Sequence, residues 1–251
     1  MIHIKSTREI ELMKQSGQIV AGALSLARKM AVPGVSTEEI NRAIDDYITA
    51  HGAWPSFKHY GEPPFPAAAC ISVNEAVVHG IPNSYVLKEG DIVSVDVGAK
   101  LNGYHGDAAR TFAVGEIDSE ARRLIDITEK SFWAGIAIAK EGNRLGDVSH
   151  AIEEVAVAAG FGVVKELVGH GVGENLHEDP NVPNYGSAGR GPRLQAGMAL
   201  AIEPMINEGT ADIFLADDEW TVVTADHKRS AHYENTIIIT DGEPLILTLE
   251  P

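Results

Sequence analysis

DIVSVDVGAKLNGYHGDAARTF, residues 91–112, reads as a β-hairpin with an acid on each arm. Val93, Val95, Val97 and Ala99 alternate with Ile92, Ser94, Asp96 and Gly98, the repeat of two that a strand imposes. Asn102-Gly103 marks the reversal, because both central residues of a tight primed turn need positive φ. With that loop, Leu101 faces Tyr104 and Gly98 faces Asp107. Asp96 and Asp107 then share one face as diagonal neighbours, roughly 7–8 Å apart at the backbone. Two carboxylates aimed at one point repel unless a proton or a cation lies between them. The hairpin therefore predicts a cation site.

The composition of the whole chain describes a soluble globular protein. Its 251 residues are 44% hydrophobic and 22% charged, enough to bury roughly 70–75% of the unfolded surface in one domain or two packed halves. A net charge of −16 argues against nonspecific binding to a nucleic-acid backbone. Cys70 is the single cysteine, so no internal disulfide exists and a reducing compartment suits the chain. No apolar run of about 18 residues could span a membrane, and MIHIKSTREIELMK lacks a signal-peptide core. The expected location is the cytoplasm.

Four helices are predicted. Ser6-x-x-Glu9 and Ser36-x-x-Glu39 are capping boxes; the first opens a helix running toward Pro33-Gly34, the second one ending near Gly52. Ser119–Lys140 and Asp147–Ala159 supply the other two. The chain repeats itself here: Gly34–Gly52, GVSTEEINRAIDDYITAHG, aligns with Gly142–Gly160, GNRLGDVSHAIEEVAVAAG. Trp54–Pro66 reads as loop. Strands are expected over Cys70–Val78, Val163–Val168, Met198–Ile206, Trp220–Thr224 and Ala231–Thr240. The reading is an α+β fold of two related halves, about 1–115 and 116–251, with helices on one face of an antiparallel sheet and a cleft between them.

Three further polar residues interrupt apolar runs. Glu203 lies in MALAIEPMI, Glu234 heads the strand of SAHYENTIIIT, and His170 sits between glycines in LVGHGVG. Taken singly, each acid could be exposed or paired with an arginine such as Arg110, and the histidine could be a turn residue. Together they call for a partner, because an unpaired buried carboxylate costs several kcal/mol or takes up a proton.

In their contexts VSVDVGA, GYHGDAARTF, GHGVG, AIEPM and SAHYENT, the residues Asp96, Asp107, His170, Glu203 and Glu234 resemble the dinuclear metal site of the methionine aminopeptidases and their creatinase/prolidase-like relatives. The resemblance runs from Ile4 almost to Leu247 and implies the pita-bread fold with its internal pseudo-twofold. It implies two divalent ions (Mn, Fe(II), Co or Zn): Asp96 on one, Asp107 and Glu234 bridging, His170 and Glu203 completing the second. It further implies a metal-activated hydroxide that attacks the first peptide bond, with Glu203 moving the proton. His79 in VVHGIP and His177 in ENLHEDP match the substrate-contacting pair. Phe65, Cys70 and Trp220 resemble the wall of a methionine pocket.

Two positions depart from that pattern: Leu176 replaces an aromatic before His177, and Glu62-Pro63-Pro64 replaces an aromatic before Phe65, where Tyr60 could substitute. Prolidase-like relatives usually add a large N-terminal domain, whereas this sequence opens almost directly on the first helix, so the minimal aminopeptidase form is the expectation. The short stretch between Glu174 and Arg193 resembles the first, bacterial-like type. The implied substrate is a nascent polypeptide beginning with methionine and a small second residue. A monomeric state and a ribosome contact belong to the same analogy.

Overall fold

In the computed structural model, which describes residues 1–249, strands Ile92–Leu101 and Tyr104–Ala113 pair antiparallel in the expected register, Leu101 opposite Tyr104 and Gly98 opposite Asp107. Asn102 and Gly103 make the turn at φ 52° and 91°. Ala69–Val73 and the short Trp54–Pro55 pair with the first arm to complete a four-stranded sheet.

Helices α1 (Thr7–Met30) and α2 (Thr37–Ala50) pack on this sheet, and both predicted capping boxes form. Their inner stripes, Val20, Leu24 and Ala27 with Ile40, Ile44 and Ile48, meet Val93, Val95 and Val97 in one buried cluster. Close approach of α1 to the hairpin depends on missing side chains. A methyl group on Gly106 would lie 2.8 Å from the backbone nitrogen of Gly17.

The second half repeats the plan. Helices α3 (Ser119–Ile138) and α4 (Leu145–Ala158) cover a five-stranded sheet ordered Leu245–Ile246, Asn235–Ile238, Ala199–Ile202, Gly169–Gly171 and Glu178–Val182. The sequence repeat is structural: α2 and α4 begin and end at matching positions, Thr37 with Leu145 and Ala50 with Ala158. Phe132, Val148 and Ile152 meet Leu200, Ile202 and Ile237 in the core of this half. Among the described residues no helix is long and apolar enough to cross a membrane.

All five strands expected outside the hairpin differ in detail. Cys70–Val78 divides into Ala69–Val73 and Ala76–Val78, which pair in different sheets. The runs Met198–Ile206 and Ala231–Thr240 each break at their glutamate. Ala199–Ile202 and Asn235–Ile238 pair in the five-stranded sheet, whereas Met205–Asn207 and Ser230–His232 pair in a separate three-stranded sheet with Gly162–Val163. Pro204 lacks the N–H that a continuous ladder would need at this point, and Asn184 Nδ2 donates to the Glu203 carbonyl at 3.0 Å to hold the break. The strand expected over Val163–Val168 is correspondingly short. Trp220 stands outside the ladder, which runs over Val222–Thr224, because Asp218 Oδ1 accepts from the amides of Trp220 and Thr221 at 3.0 and 2.7 Å. That side-chain turn diverts the chain locally.

The Gly17–Gly106 contact yields a stability prediction. Gly106→Ala should destabilise the protein by about 1–3 kcal/mol through overpacking, lowering the thermal midpoint by several degrees, with the secondary-structure content of the folded state unchanged by circular dichroism.

Candidate metal centre and peptide cavity

The halves are joined along strand Tyr104–Ala113, and the junction aims the acids. Thr236 Oγ1 accepts from the amide of Asp107 at 3.0 Å and donates to its carbonyl at 2.8 Å. The amide of Glu234 donates to the Ala109 carbonyl at 2.9 Å. Arg110, buried against the Tyr233 ring at 4.2 Å, donates to the Glu234 carbonyl and, at 2.8 Å, to Asn235 Oδ1. The arginine is thus engaged on the backbone side of Glu234. Glu203 faces Glu234 across the break in the sheets, since Ile202 pairs with Asn235.

All ten residues singled out from the sequence line one cavity of about 390 Å³: Asp96, Asp107, His170, Glu203, Glu234, His79, His177, Phe65, Cys70 and Trp220. Asp107, His170 and Glu234 are buried and offer ligand atoms within 4.8 Å of one another. His170 Nε2 lies 3.9 Å from Asp107 Oδ2 and 3.6 Å from Glu203 Oε1. His170 Nδ1 donates to the Gly171 carbonyl at 2.8 Å, which fixes the tautomer and turns the Nε2 lone pair toward the acids.

Electrostatics at the site demand neutralisation. Burial raises the Asp96 pKa to about 7, partly offset by hydrogen bonds from Asp107 and the Val97 amide. Asp107, Glu203 and Glu234 are pushed well above the usual carboxylate range, by burial first and then by one another's charge. Burial lowers His170 to about 3 and His79 to about 4, so both imidazoles are neutral at physiological pH. Asp96 Oδ1, Asp107 Oδ1 and Glu234 Oε1 are buried without a hydrogen-bond partner. Unsatisfied atoms of this kind cost about 1–3 kcal/mol each, and divalent cations are the partners that suit several carboxylates and a neutral imidazole. The donor set fits a divalent metal.

The apolar end of the cavity is built from Phe57, Phe65, Cys70 and Leu176, buried together with Trp220 against them. Phe65 and Trp220 meet edge to face with centroids 5.2 Å apart. Tyr60 also lines the cavity, and its hydroxyl lies 2.6 Å from His177 Nδ1. His79 follows strand Ala76–Val78 with φ 58°, a left-handed conformation uncommon outside glycine.

Comparison with known proteins matches these features to one family. The model of metallopeptidase family M24 covers residues 11–241. The chain belongs to metallopeptidase family M24. Within this family it is 55% identical over 250 residues to the methionine aminopeptidase of Clostridium perfringens, covering 99% of each protein. It is 50% identical over 248 residues to methionine aminopeptidase 1 of Bacillus subtilis, again 99% of each. The crystal structure of the methionine aminopeptidase from Thermotoga maritima superposes with a TM-score of 0.97 at 48% identity, over 100% of both chains. The prolidase of Pyrococcus furiosus shares the fold, with a TM-score of 0.80 at 24% identity over 99% of this chain and 66% of its own. The α+β, pita-bread reading therefore holds for this M24 peptidase.

One residue at the M24 site escaped the sequence reading. His232, 2% exposed, directs an unpartnered Nε2 toward the acids, 3.9 Å from Glu203 Oε2 and 3.8 Å from Glu234 Oε2. Its spacing of two from Glu234 was the available signal, since alternate strand residues share a face.

The raised carboxylates fix the sign of a pH effect. A group whose folded pKa exceeds its unfolded value of 3.8 destabilises the fold as pH rises above about 4, and the penalty is complete above the folded value, about 7 for Asp96. Metal-free Asp96→Asn should therefore melt several degrees above the parent at pH 8, with the difference vanishing near pH 4; calorimetry on chelator-treated protein measures both.

Proposed function

We propose that the chain is a single catalytic unit, its halves meeting near residue 115, that removes the N-terminal methionine from polypeptides with a small second residue. The activity follows from the methionine aminopeptidase relatives, whose similarity covers 99–100% of this chain. The observation that carries the residue assignments is the convergence of four carboxylates and an imidazole, with orphaned oxygens, beside an apolar pocket.

Asp96, Asp107, His170, Glu203 and Glu234 would hold two divalent ions, with Mn, Fe(II), Co and Zn all compatible with the oxygen-rich set. When bound, such ions supply Lewis-acid polarisation of the scissile carbonyl and a water of lowered pKa. The remaining work falls to the protein. Glu203, whose proton affinity is raised by burial and by Asp96 and Asp107, takes a proton from the attacking water and delivers it to the departing amine. His177, braced by Tyr60, donates to the carbonyl oxygen as negative charge develops there. His79 faces the residue beyond the scissile bond, and crowding by the two imidazoles favours a small second side chain. Phe65, Cys70 and Trp220, with Leu176, receive the unbranched thioether. The acidic end attracts the free α-ammonium of the substrate, which restricts cleavage to the terminal residue.

The site is complete within one chain, which supports action as a monomer. A lone buried Cys70 fits a cytoplasmic setting. A ribosome contact rests on family analogy alone.

Release of free methionine from Met-Ala-Ser by metal-reconstituted protein, with an Ala-Pro peptide left uncut, is the expected outcome; the reverse preference would make the chain a proline-directed peptidase. His170→Ala and Asp107→Ala should each lower kcat at least about 100-fold and reduce bound metal measured by elemental analysis. Full turnover with either variant removes the site assignment.

A further inference from the structure

The N-terminal arm carries a buried cation with no part in the chemistry above. Lys5 is 4% exposed, and its Nζ donates to Glu178 Oε2 at 2.6 Å and lies 3.1 Å from His3 Nδ1. The arm is fixed where Lys5 sits: its amide donates to the Gly197 carbonyl at 2.7 Å, and Ile4 bridges to Met198. Lys5 therefore stands on the second half, while α1, beginning two residues later, packs on the first.

Glu178 directly follows His177 and opens strand Glu178–Val182. His177 ends the bend immediately before that strand and lines the cavity, so holding Glu178 fixes the backbone from which the imidazole projects. The same carboxylate closes the turn before it, since Oε1 accepts from the Asn175 amide at 3.2 Å. Gly173 leaves room for this arrangement; a methyl group there would meet Glu178 Oε1 at 2.6 Å as well as Lys5 Nζ. The hairpin holds the turn from its other side, with the His105 amide donating to the Gly173 carbonyl at 2.8 Å and Lys100 Nζ to the Glu174 carbonyl at 3.0 Å.

We infer that Lys5 is a positioning residue for His177, acting through the buried ion pair with Glu178 as a strap from the N-terminal arm to the catalytic loop. A buried pair is costly to break from one side, because the remaining charge is left unpaired. Displacing a reacting group by about 1 Å can reduce rate up to about 100-fold. The inference rests on the role given above to His177 and adds a residue remote from the substrate.

The test uses metal-loaded full-length protein and methionine release from Met-Ala-Ser. Lys5→Met should lower kcat about tenfold or more with bound metal unchanged, and Lys5→Met/Glu178→Gln, which buries no lone charge, should remain folded and show a similar loss. The deciding comparison is with His177→Ala: in that background Lys5→Met should cost less than about twofold, because the group it positions is gone. An equal loss in both backgrounds overturns the inference while leaving the role of His177 standing. Parental kcat in the folded double variant overturns it as well. A silent His177→Ala removes the catalytic role of His177, and the inference with it.

Discussion

Anions crowded into a dry cleft raise one another's proton affinity, and the four carboxylates here are held in that condition by the backbone. Asp96 and Asp107 come from one hairpin, Glu203 and Glu234 from the breaks where two strands change sheets. Their pKa values are raised, with burial the largest cause for each. Holding the four together costs stability unless a proton or a cation shares the cleft with them.

The scaffold bears that load by tying the halves together at the same place. Thr236 and Thr111 each bond across the junction, Thr236 to the backbone of Asp107 and Thr111 to the backbone of His232. Arg110 adds cation–π and hydrogen-bond contacts behind Glu234. The positive charge lies on the far side of the peptide group, so it fixes the glutamate without occupying the ligand position. Preorganisation of this kind keeps the donors aimed before an ion arrives.

Local patterning made much of this legible. The hairpin register follows from Asn102-Gly103 and the alternation around Asp96, and the helix starts follow from Ser6 and Ser36 with their glutamates. The ten cavity residues were named from family motifs rather than from spacing alone, and the structure brings all of them together. What escaped depends on distant partners. The sheet switch at Glu203 needs Asn184, 19 residues earlier in the chain. His232 was hidden because its environment is created by two glutamates, one of them 29 positions earlier in the chain at Glu203. Tyr60 could be suggested from the sequence, but its contact with His177 is a tertiary one.

The indole of Trp220 belongs to the second half, yet its Nε1 donates to the Pro63 carbonyl of the first at 3.0 Å. One side chain thereby forms a wall of the apolar pocket and bridges the two halves at its rim. Each half also carries two of the four acids, Asp96 and Asp107 on the first and Glu203 and Glu234 on the second. By linkage, any occupant of the pocket that draws the halves into a preferred spacing changes metal affinity by a factor that the metal returns to the occupant.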